Sequence, residues 1–192
     1  MQGKNHVALA LAIPLAGAAI GGPLPEGAGQ WAALVLGSLA PDIDGGGHIA
    51  YWGNWLPRQI TPAPVVALLN GLGTTTSNVI RSMFGHRQAF HWPTWAGVMM
   101  ALGLVLGQGW LIWLGVGYLL HILGDSLTKS GVPLLGPLST RDISFSPMKT
   151  GSITESILGA ALWLFVGWQL WQQASPTGPV VQWLYRLGGQ FL

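Results

Sequence analysis

The chain has 192 residues, of which half are hydrophobic and 7% are charged, and its formal net charge is +2. Its mean hydropathy of +0.47 is typical of integral membrane proteins and unlike that of soluble globular proteins, although a soluble all-α protein with a large core is the alternative. The small net charge and the lack of a Lys/Arg run argue against nucleic-acid binding. Because the chain has no cysteine, any metal site must use histidine nitrogen and carboxylate oxygen.

Apolar segments without charged residues predict an all-α, polytopic membrane protein with about five transmembrane helices, in a range of four to six. In chain order the segments cover about residues 7–23, 30–39, 94–108, 109–123 and 156–173. Several are shorter than the ~20 residues of a perpendicular span, so we expect tilted or partly buried helices or a thinned bilayer. Gly107-Gln108-Gly109 predicts the turn between the third and fourth segments. We expect a single domain over residues 1–192.

Three further segments have weaker patterns. Residues 62–73 are apolar but few and include two prolines, which predicts a re-entrant or interfacial helix. Residues 128–150 are rich in Ser, Thr and Pro and predict a long loop, and residues 179–192 predict a helix on the membrane surface. The first apolar segment also fits a signal peptide, but it is long for one, so we expect His6 to remain in the mature protein.

All five histidines and three of the six acidic residues fall into a few short polar clusters. The clusters are His6; Asp42 and Asp44 with His48; His86 with His91; and His121 with Asp125. If the five spans cross alternately, all four clusters arrive at one membrane face together with seven of the eight basic residues. By the positive-inside rule this face is cytoplasmic. The pattern therefore predicts one composite metal site at the cytoplasmic face.

His121 and Asp125 are four residues apart on a predicted helix, so both lie on one face. There they either share a metal ion or form a histidine oriented by a carboxylate. Ionisable groups within a membrane helix are costly and usually functional, which favours the metal. Asp42 and Asp44 follow Pro41 at a predicted helix end, where the alternative is a solvated Asx turn.

The other histidines leave alternatives open. His86 and His91 are five residues apart and offer two imidazoles from a loop that leads into a helix. Taken singly, each also fits a hydrogen-bonded histidine at the membrane interface. His6 lies at the start of the first helix and is either a ligand or a partner of the helix dipole. His48 follows three glycines and is not among the preferred ligands.

At these residues the chain resembles the YdjM-like family of membrane-bound metal-dependent hydrolases, also described as LexA-binding, inner-membrane-associated hydrolases. The matching features are His6 before an apolar helix, GSLAPDID at 37–44, GHRQAFH at 85–91 and HILGDSLTKSGVPLLGP at 121–137. In the family the middle motif reads like HRG-T-HS, so Gln88 and Trp92 here replace its Gly and Ser. The resemblance implies a polytopic helical protein of the bacterial inner membrane with metal-dependent hydrolase activity. A looser similarity to zinc-dependent phospholipase C and related nucleases favours phosphoester substrates.

These features predict a hydrolase with one or two divalent metal ions, Zn or Mn. The expected metal ligands are His6, Asp42, Asp44, His86, His91, His121 and Asp125. Asp44 is also the candidate general base, and Arg87 and Arg141 are candidate clamps for phosphate oxygens. We expect membrane lipids as partners and a lipid-linked phosphoester as substrate.

Two other classes of function remain as alternatives. A non-enzymatic metal-binding or transport protein would place ligands near the bilayer midplane, whereas these clusters lie at predicted helix ends. A scaffold for a soluble partner would use the basic residues of the 128–150 loop, which are Lys129, Arg141 and Lys149.

Overall fold

The structure is a computed structural model that describes residues 1–44, 52–55, 57, 59–84 and 89–174. Within these ranges the chain forms six α-helices: α1 Gly3–Ala18, α2 Gly27–Leu39, α3 Ala63–Phe84, α4 Pro93–Leu106, α5 Gly109–Ser126 and α6 Ile153–Ala174. Short 3-10 helices are found at Ala40–Asp44, Trp52–Trp55 and Ala89–His91. The described residues contain one isolated backbone bridge, between Val132 and Ile143. The predicted all-α class is confirmed.

Helix α5 lies at the centre of the fold, packed against α1, α2 and α4, and α1 also packs against α6. Helices α2 and α5 approach each other closely because glycines lie at their contact. A Cβ atom on Gly117 would lie 2.0 Å from the Leu34 carbonyl oxygen, and one on Gly37 would lie 2.1 Å from that of Leu114. The two helices therefore meet backbone to backbone, as small residues permit in membrane proteins.

Apolar clusters among the described residues fill the remaining space between the helices. One joins α4, α5 and the loop after α5, the second joins α1, α2 and α5, and the third joins α1 and α6. Their buried members are Ala96, Tyr118, Ile122 and Val132; Ala10, Leu34 and Leu120; and Ala12, Leu15 and Val166. This packing fixes the ends of the central helices relative to one another.

The α4–α5 turn forms where the sequence predicts it. Helix α4 ends at Gly107, whose φ of 65° is left-handed, and α5 begins at Gly109 after Gln108. Glycine adopts this conformation without the steric penalty of a Cβ atom, so the helix ends there. Residues 128–150 contain no described helix, in agreement with the predicted loop.

Helix α3 is longer than the sequence predicted. The prediction was a short apolar helix over 62–73, whereas the structure has one continuous helix of 22 residues, Ala63–Phe84. Pro62 and Pro64 fall at its start, where missing backbone N–H groups are tolerated. Residues 74–84, which begin with three threonines, continue the same helix.

The described helices differ in whether their length and composition would allow them to cross a membrane. Among the described residues, α6 is the one helix long and apolar enough to cross a membrane by length and composition. Helices α1, α2 and α4 have 16, 13 and 14 residues, fewer than the ~20 of a perpendicular span. The number of spans and the extent of the domain stay predictions. The predicted surface helix at 179–192 lies outside the described residues.

Candidate metal centre

Four metal-binding side chains from separate parts of the chain converge at one end of the helices. Asp42 lies in the 3-10 helix after α2, His91 in the 3-10 helix before α4, and His121 and Asp125 in the last turns of α5. One ligand atom from each lies within 4.8 Å of the others. His91, His121 and Asp125 are fully buried, and the Asp42 side chain is 22% exposed. We call these four residues the His/Asp quartet.

The spacing within the quartet fits a small divalent ion. His121 Nε2 lies 3.6 Å from Asp42 Oδ1 and 3.8 Å from Asp125 Oδ2, and His91 Nε2 lies 3.8 Å from each of the same oxygens. Tetrahedral bonds of ~2.0–2.1 Å would separate ligand atoms by ~3.4 Å, close to these values. Neither Nε2 atom has a hydrogen-bond partner among the described residues. Buried polar atoms usually have a partner, so the arrangement favours a ligand role.

The His121 ring is oriented by the backbone of α2. Its Nδ1 atom lies 2.8 Å from the Ser38 carbonyl oxygen. Because a carbonyl oxygen only accepts hydrogen bonds, Nδ1 donates to it, and Nε2 faces the carboxylates of Asp42 and Asp125. Backbone carbonyls orient metal-binding histidines in the same way in many proteins.

His91 is held in place through the residues beside it. The Tyr118 hydroxyl of α5 donates a hydrogen bond to the Phe90 carbonyl oxygen, and Trp95 Nε1 donates to the Ala89 carbonyl oxygen at 2.8 Å. Thr94 in α4 donates to the Gly136 carbonyl oxygen at 2.7 Å. The segment that carries His91 is thus tied to α4 and α5.

The surroundings of the Asp42 carboxyl group favour its ionised form. Burial acts to raise its pKa, but the nearby imidazoles of His91, His121 and His6 outweigh that effect, so the pKa of Asp42 lies below its ordinary value. A carboxylate whose pKa is lowered in this way is ionised at neutral pH and ready to bind a cation.

His6 lies beside the quartet. Its buried ring stacks on His121 with centroids 3.8 Å apart and an interplanar angle of 11°. His6 Nε2 lies 3.2 Å from Asp125 Oδ1, where the Met1 nitrogen also makes contact. Asp125 therefore faces His91 and His121 through Oδ2 and His6 through Oδ1. The structure thus brings together five of the predicted ligand residues: His6, Asp42, His91, His121 and Asp125.

Of the other predicted residues, the described structure shows Arg141, which lies apart from the quartet. Arg141 is exposed on the loop after α5, in a groove of about 430 Å³ that Ser139 and Asp142 also line. It forms no ion pair with either carboxylate of the quartet in the described part of the chain. The Asp44 side chain and residues His48, His86 and Arg87 lie outside the described residues. The catalytic and ligand roles assigned to them stay predictions.

Sequence reasoning missed a buried carboxylate next to this site. Glu155 of α6 is 1% exposed and accepts hydrogen bonds from Gln2 N at 2.5 Å, Asn5 Nδ2 at 3.0 Å and Gly151 N at 2.5 Å. It joins the start of α6 to the first turn of α1, next to His6. The sequence signal was Ser152-x-x-Glu155 before an apolar run, a capping-box pattern.

Comparison with known proteins identifies the family of the chain. Residues 1–154 match the family described as YdjM inner membrane protein. The inner membrane proteins YdjM of Escherichia coli (strain K12) and Shigella flexneri are each 33% identical to the chain over 116 residues. Each match covers 56% of this chain and 58% of the relative, so the chain matches less than two thirds of either relative. No solved structure matches. The chain belongs to the YdjM inner membrane protein family.

Proposed function

We propose that this member of the YdjM family is a membrane-bound, metal-dependent hydrolase that acts on a phosphoester, with lipid-linked phosphoesters as its best substrates. The observation that carries the proposal is the convergence of the His/Asp quartet, with ligand atoms within 4.8 Å of one another. Two imidazoles and two carboxylates form a donor set that suits Zn²⁺ and Mn²⁺.

The quartet would hold the ion, with His6 beside it. A divalent ion bound there supplies Lewis acidity, which lowers the pKa of a water molecule and polarises a phosphoryl group. Asp42 and Asp125 would balance the charge of the ion, and the Ser38 carbonyl oxygen keeps the His121 ring aligned. Asp42 is the partly exposed member of the quartet, so substrate and water reach the site from its side. Asp44 is proposed as general base and Arg87 and Arg141 as phosphate clamps.

A lipid-linked substrate is supported by the position of the quartet at helix ends. The quartet lies at the end of α2, the start of α4 and the end of α5, whereas transport sites lie near the middle of broken helices. Helix ends in a membrane protein lie near the lipid headgroups, where phosphoesters are found.

The first test measures metal content and hydrolysis together. Purified full-length protein in detergent should contain Zn or Mn and hydrolyse a phosphomonoester or phosphodiester, lipid-linked substrates fastest. Chelators should abolish the activity, and Zn²⁺ or Mn²⁺ should restore it. His121→Ala should lose metal and activity together, because it removes one of few ligands.

A matched pair of carboxylate variants controls for the loss of charge. Asp42→Asn should lower metal occupancy, whereas Asp142→Asn, at an exposed carboxylate of the loop after α5, should leave it unchanged. Full metal content in the His121→Ala variant would contradict the metal site. The wild-type protein could also contain stoichiometric metal and yet hydrolyse no ester, amide or phosphoester faster than the His121→Ala variant. That result would contradict hydrolase activity and favour a metal-binding protein.

A further inference from the structure

Helix α3 carries a narrow stripe of large apolar side chains that face away from the protein. Their exposed fractions are Val65 41%, Leu68 63%, Leu72 50%, Val79 51% and Met83 69%. At 3.6 residues per turn these positions fall within an arc of about 60°. Five exposed apolar side chains along one line of a helix are not a normal water-facing surface, and such patches mark a partner.

The opposite side of α3 packs against the protein. Gly73 and Ser77 are buried, and α3 contacts the 3-10 helices Trp52–Trp55 and Ala40–Asp44. Asn70 Oδ1 accepts a hydrogen bond from the Gly53 backbone N–H at 2.8 Å. The orientation of α3 about its own axis is therefore fixed, and the stripe is left uncovered by the described part of the chain.

The charge of the sequence segment that contains α3 favours one kind of surface over the stripe. The helix carries Arg81 and no acidic residue, and residues 45–92 include Arg58, Arg81 and Arg87 but neither Asp nor Glu. This segment is attracted to an anionic surface, such as phosphatidylglycerol headgroups. Two copies of the same segment would instead repel each other, which disfavours a dimer through this face.

We propose that α3 lies parallel to the membrane surface, with its apolar stripe at the boundary between headgroups and acyl chains of an anionic bilayer. An amphipathic helix binds membranes in this way, with its apolar face buried about 5–10 Å into the boundary between headgroups and acyl chains. Because α3 packs against the 3-10 helix that contains Asp42, it holds the His/Asp quartet at headgroup depth. The proposal rests on the membrane location of the family and on the geometry of α3, and it is independent of hydrolysis.

The test uses spin labels on the full-length chain, which has no native cysteine. Single cysteines at stripe positions Leu68, Leu72 and Val79 are labelled with a nitroxide. Control cysteines replace Ala67, Asn78 and Ser82, which are exposed on another face of the same helix. The protein is reconstituted into vesicles of phosphatidylethanolamine and phosphatidylglycerol. Accessibility to oxygen, which enters lipid, is compared with accessibility to a water-soluble nickel chelate.

The stripe labels should be oxygen-accessible, protected from nickel and at one common depth, and the control labels should be nickel-accessible. A label at Lys149, which is exposed on the loop after α5, provides the aqueous reference. Nickel access at the stripe would overturn the proposal. A label depth that increases steadily from position 68 to position 79 would also overturn it, because it indicates a crossing or re-entrant helix. Dipolar broadening between labels would overturn it as well, because it indicates a second copy of the chain. All substitutions are at exposed positions, so none of these results would reflect misfolding.

Discussion

The chemistry of the candidate site depends on one buried carboxylate that faces histidines on both sides. Asp125 lies 3.8 Å from His91 and His121 through Oδ2 and 3.2 Å from His6 through Oδ1. In water such a carboxylate would be solvated, whereas here it is fully buried. A buried charge is stable only when it is paired or coordinates a metal. Both His6, which faces Oδ1, and a metal ion in the quartet, which would bind Oδ2, would therefore help to stabilise the charge of Asp125.

Glu155 gives a residue-level prediction about stability. Glu155→Ala would leave the donors of Gln2, Asn5 and Gly151 without their acceptor, at about 1–3 kcal/mol for each buried group. In thermal unfolding in detergent, Glu155→Ala should therefore lose much stability. Glu155→Gln keeps one acceptor oxygen and should lose less. The exposed Glu26 is the matched control, and Glu26→Ala should change stability by less than about 0.5 kcal/mol. Equal melting temperatures for Glu155→Ala and Glu26→Ala would contradict this role.

The sequence predicts part of the site and leaves out what depends on tertiary contacts. The proximity of Asp42, His91, His121 and Asp125 follows from alternating helices, since each residue lies at a helix end on the same side. The Ser38 carbonyl that orients His121 could not be predicted, because every residue has a backbone carbonyl and the sequence does not show which one lies nearby. Glu155 did carry a local signal, but the partners that bury it are about 150 residues away in sequence.

Close packing of α2 against α5 gives a prediction at the level of the helices. In Gly117→Ala the new Cβ atom would lie 2.0 Å from the Leu34 carbonyl oxygen, so α2 and α5 must move apart. Such overpacking typically destabilises a protein by about 1–3 kcal/mol. The movement also displaces Ser38 and Asp42, which follow Leu34 along the chain, so metal occupancy should fall together with thermal stability.

The control for Gly117→Ala is a glycine in open space. A Cβ atom added to Gly97 of α4 would have no heavy atom of another part of the protein within 4 Å, so Gly97→Ala should instead stabilise α4 by up to about 1 kcal/mol through helix propensity. In a thermal unfolding assay, Gly117→Ala should lower the melting temperature and Gly97→Ala should raise it. A stabilising effect of Gly117→Ala would show that the α2–α5 contact is looser than described.

Helix positions were more predictable than helix lengths. Charge-free runs and the Gly107-Gln108-Gly109 turn located α1, α2, α4, α5 and α6, because apolar segments interrupted by turn residues are a local signal. The second half of α3 was missed because Thr74, Thr75 and Thr76 lower the apolar content of that part of the helix. Its helical structure depends on the protein surface against which α3 packs, and that surface is known only from the fold.

At the scale of the whole molecule, the outer surface and the distribution of charge fit a membrane environment. Large apolar side chains are exposed along α4 and α6, including Leu104, Val105, Leu164 and Trp171 at 73% or more. Burying such a surface in lipid removes the cost of leaving it in water. Three described basic residues lie outside the helices. They follow α5 at the end where the quartet lies, and they are Lys129, Arg141 and Lys149.

The charge distribution predicts the orientation of the protein in the membrane. The α1–α2 and α4–α5 connections, which contain Glu26 and Gln108, lie at the opposite end of their helices from the quartet. The sequence predicts α5 as a span, and its 18 residues would extend about 27 Å of the ~30 Å hydrocarbon core. By the positive-inside rule we therefore expect the end with the quartet and the basic loop to be cytoplasmic, and Glu26 and Gln108 to face the periplasm.

Single cysteines in the cysteine-free chain test this orientation directly, because Glu26, Gln108, Arg141 and Lys149 are all exposed. In spheroplasts, a membrane-impermeant maleimide should label Glu26→Cys and Gln108→Cys at once, and Arg141→Cys and Lys149→Cys only after the membrane is permeabilised. The reverse pattern would place the quartet at the periplasmic face. Immediate labelling at all four positions would mean that the two ends of α5 lie on the same side of the membrane, which is incompatible with a spanning helix.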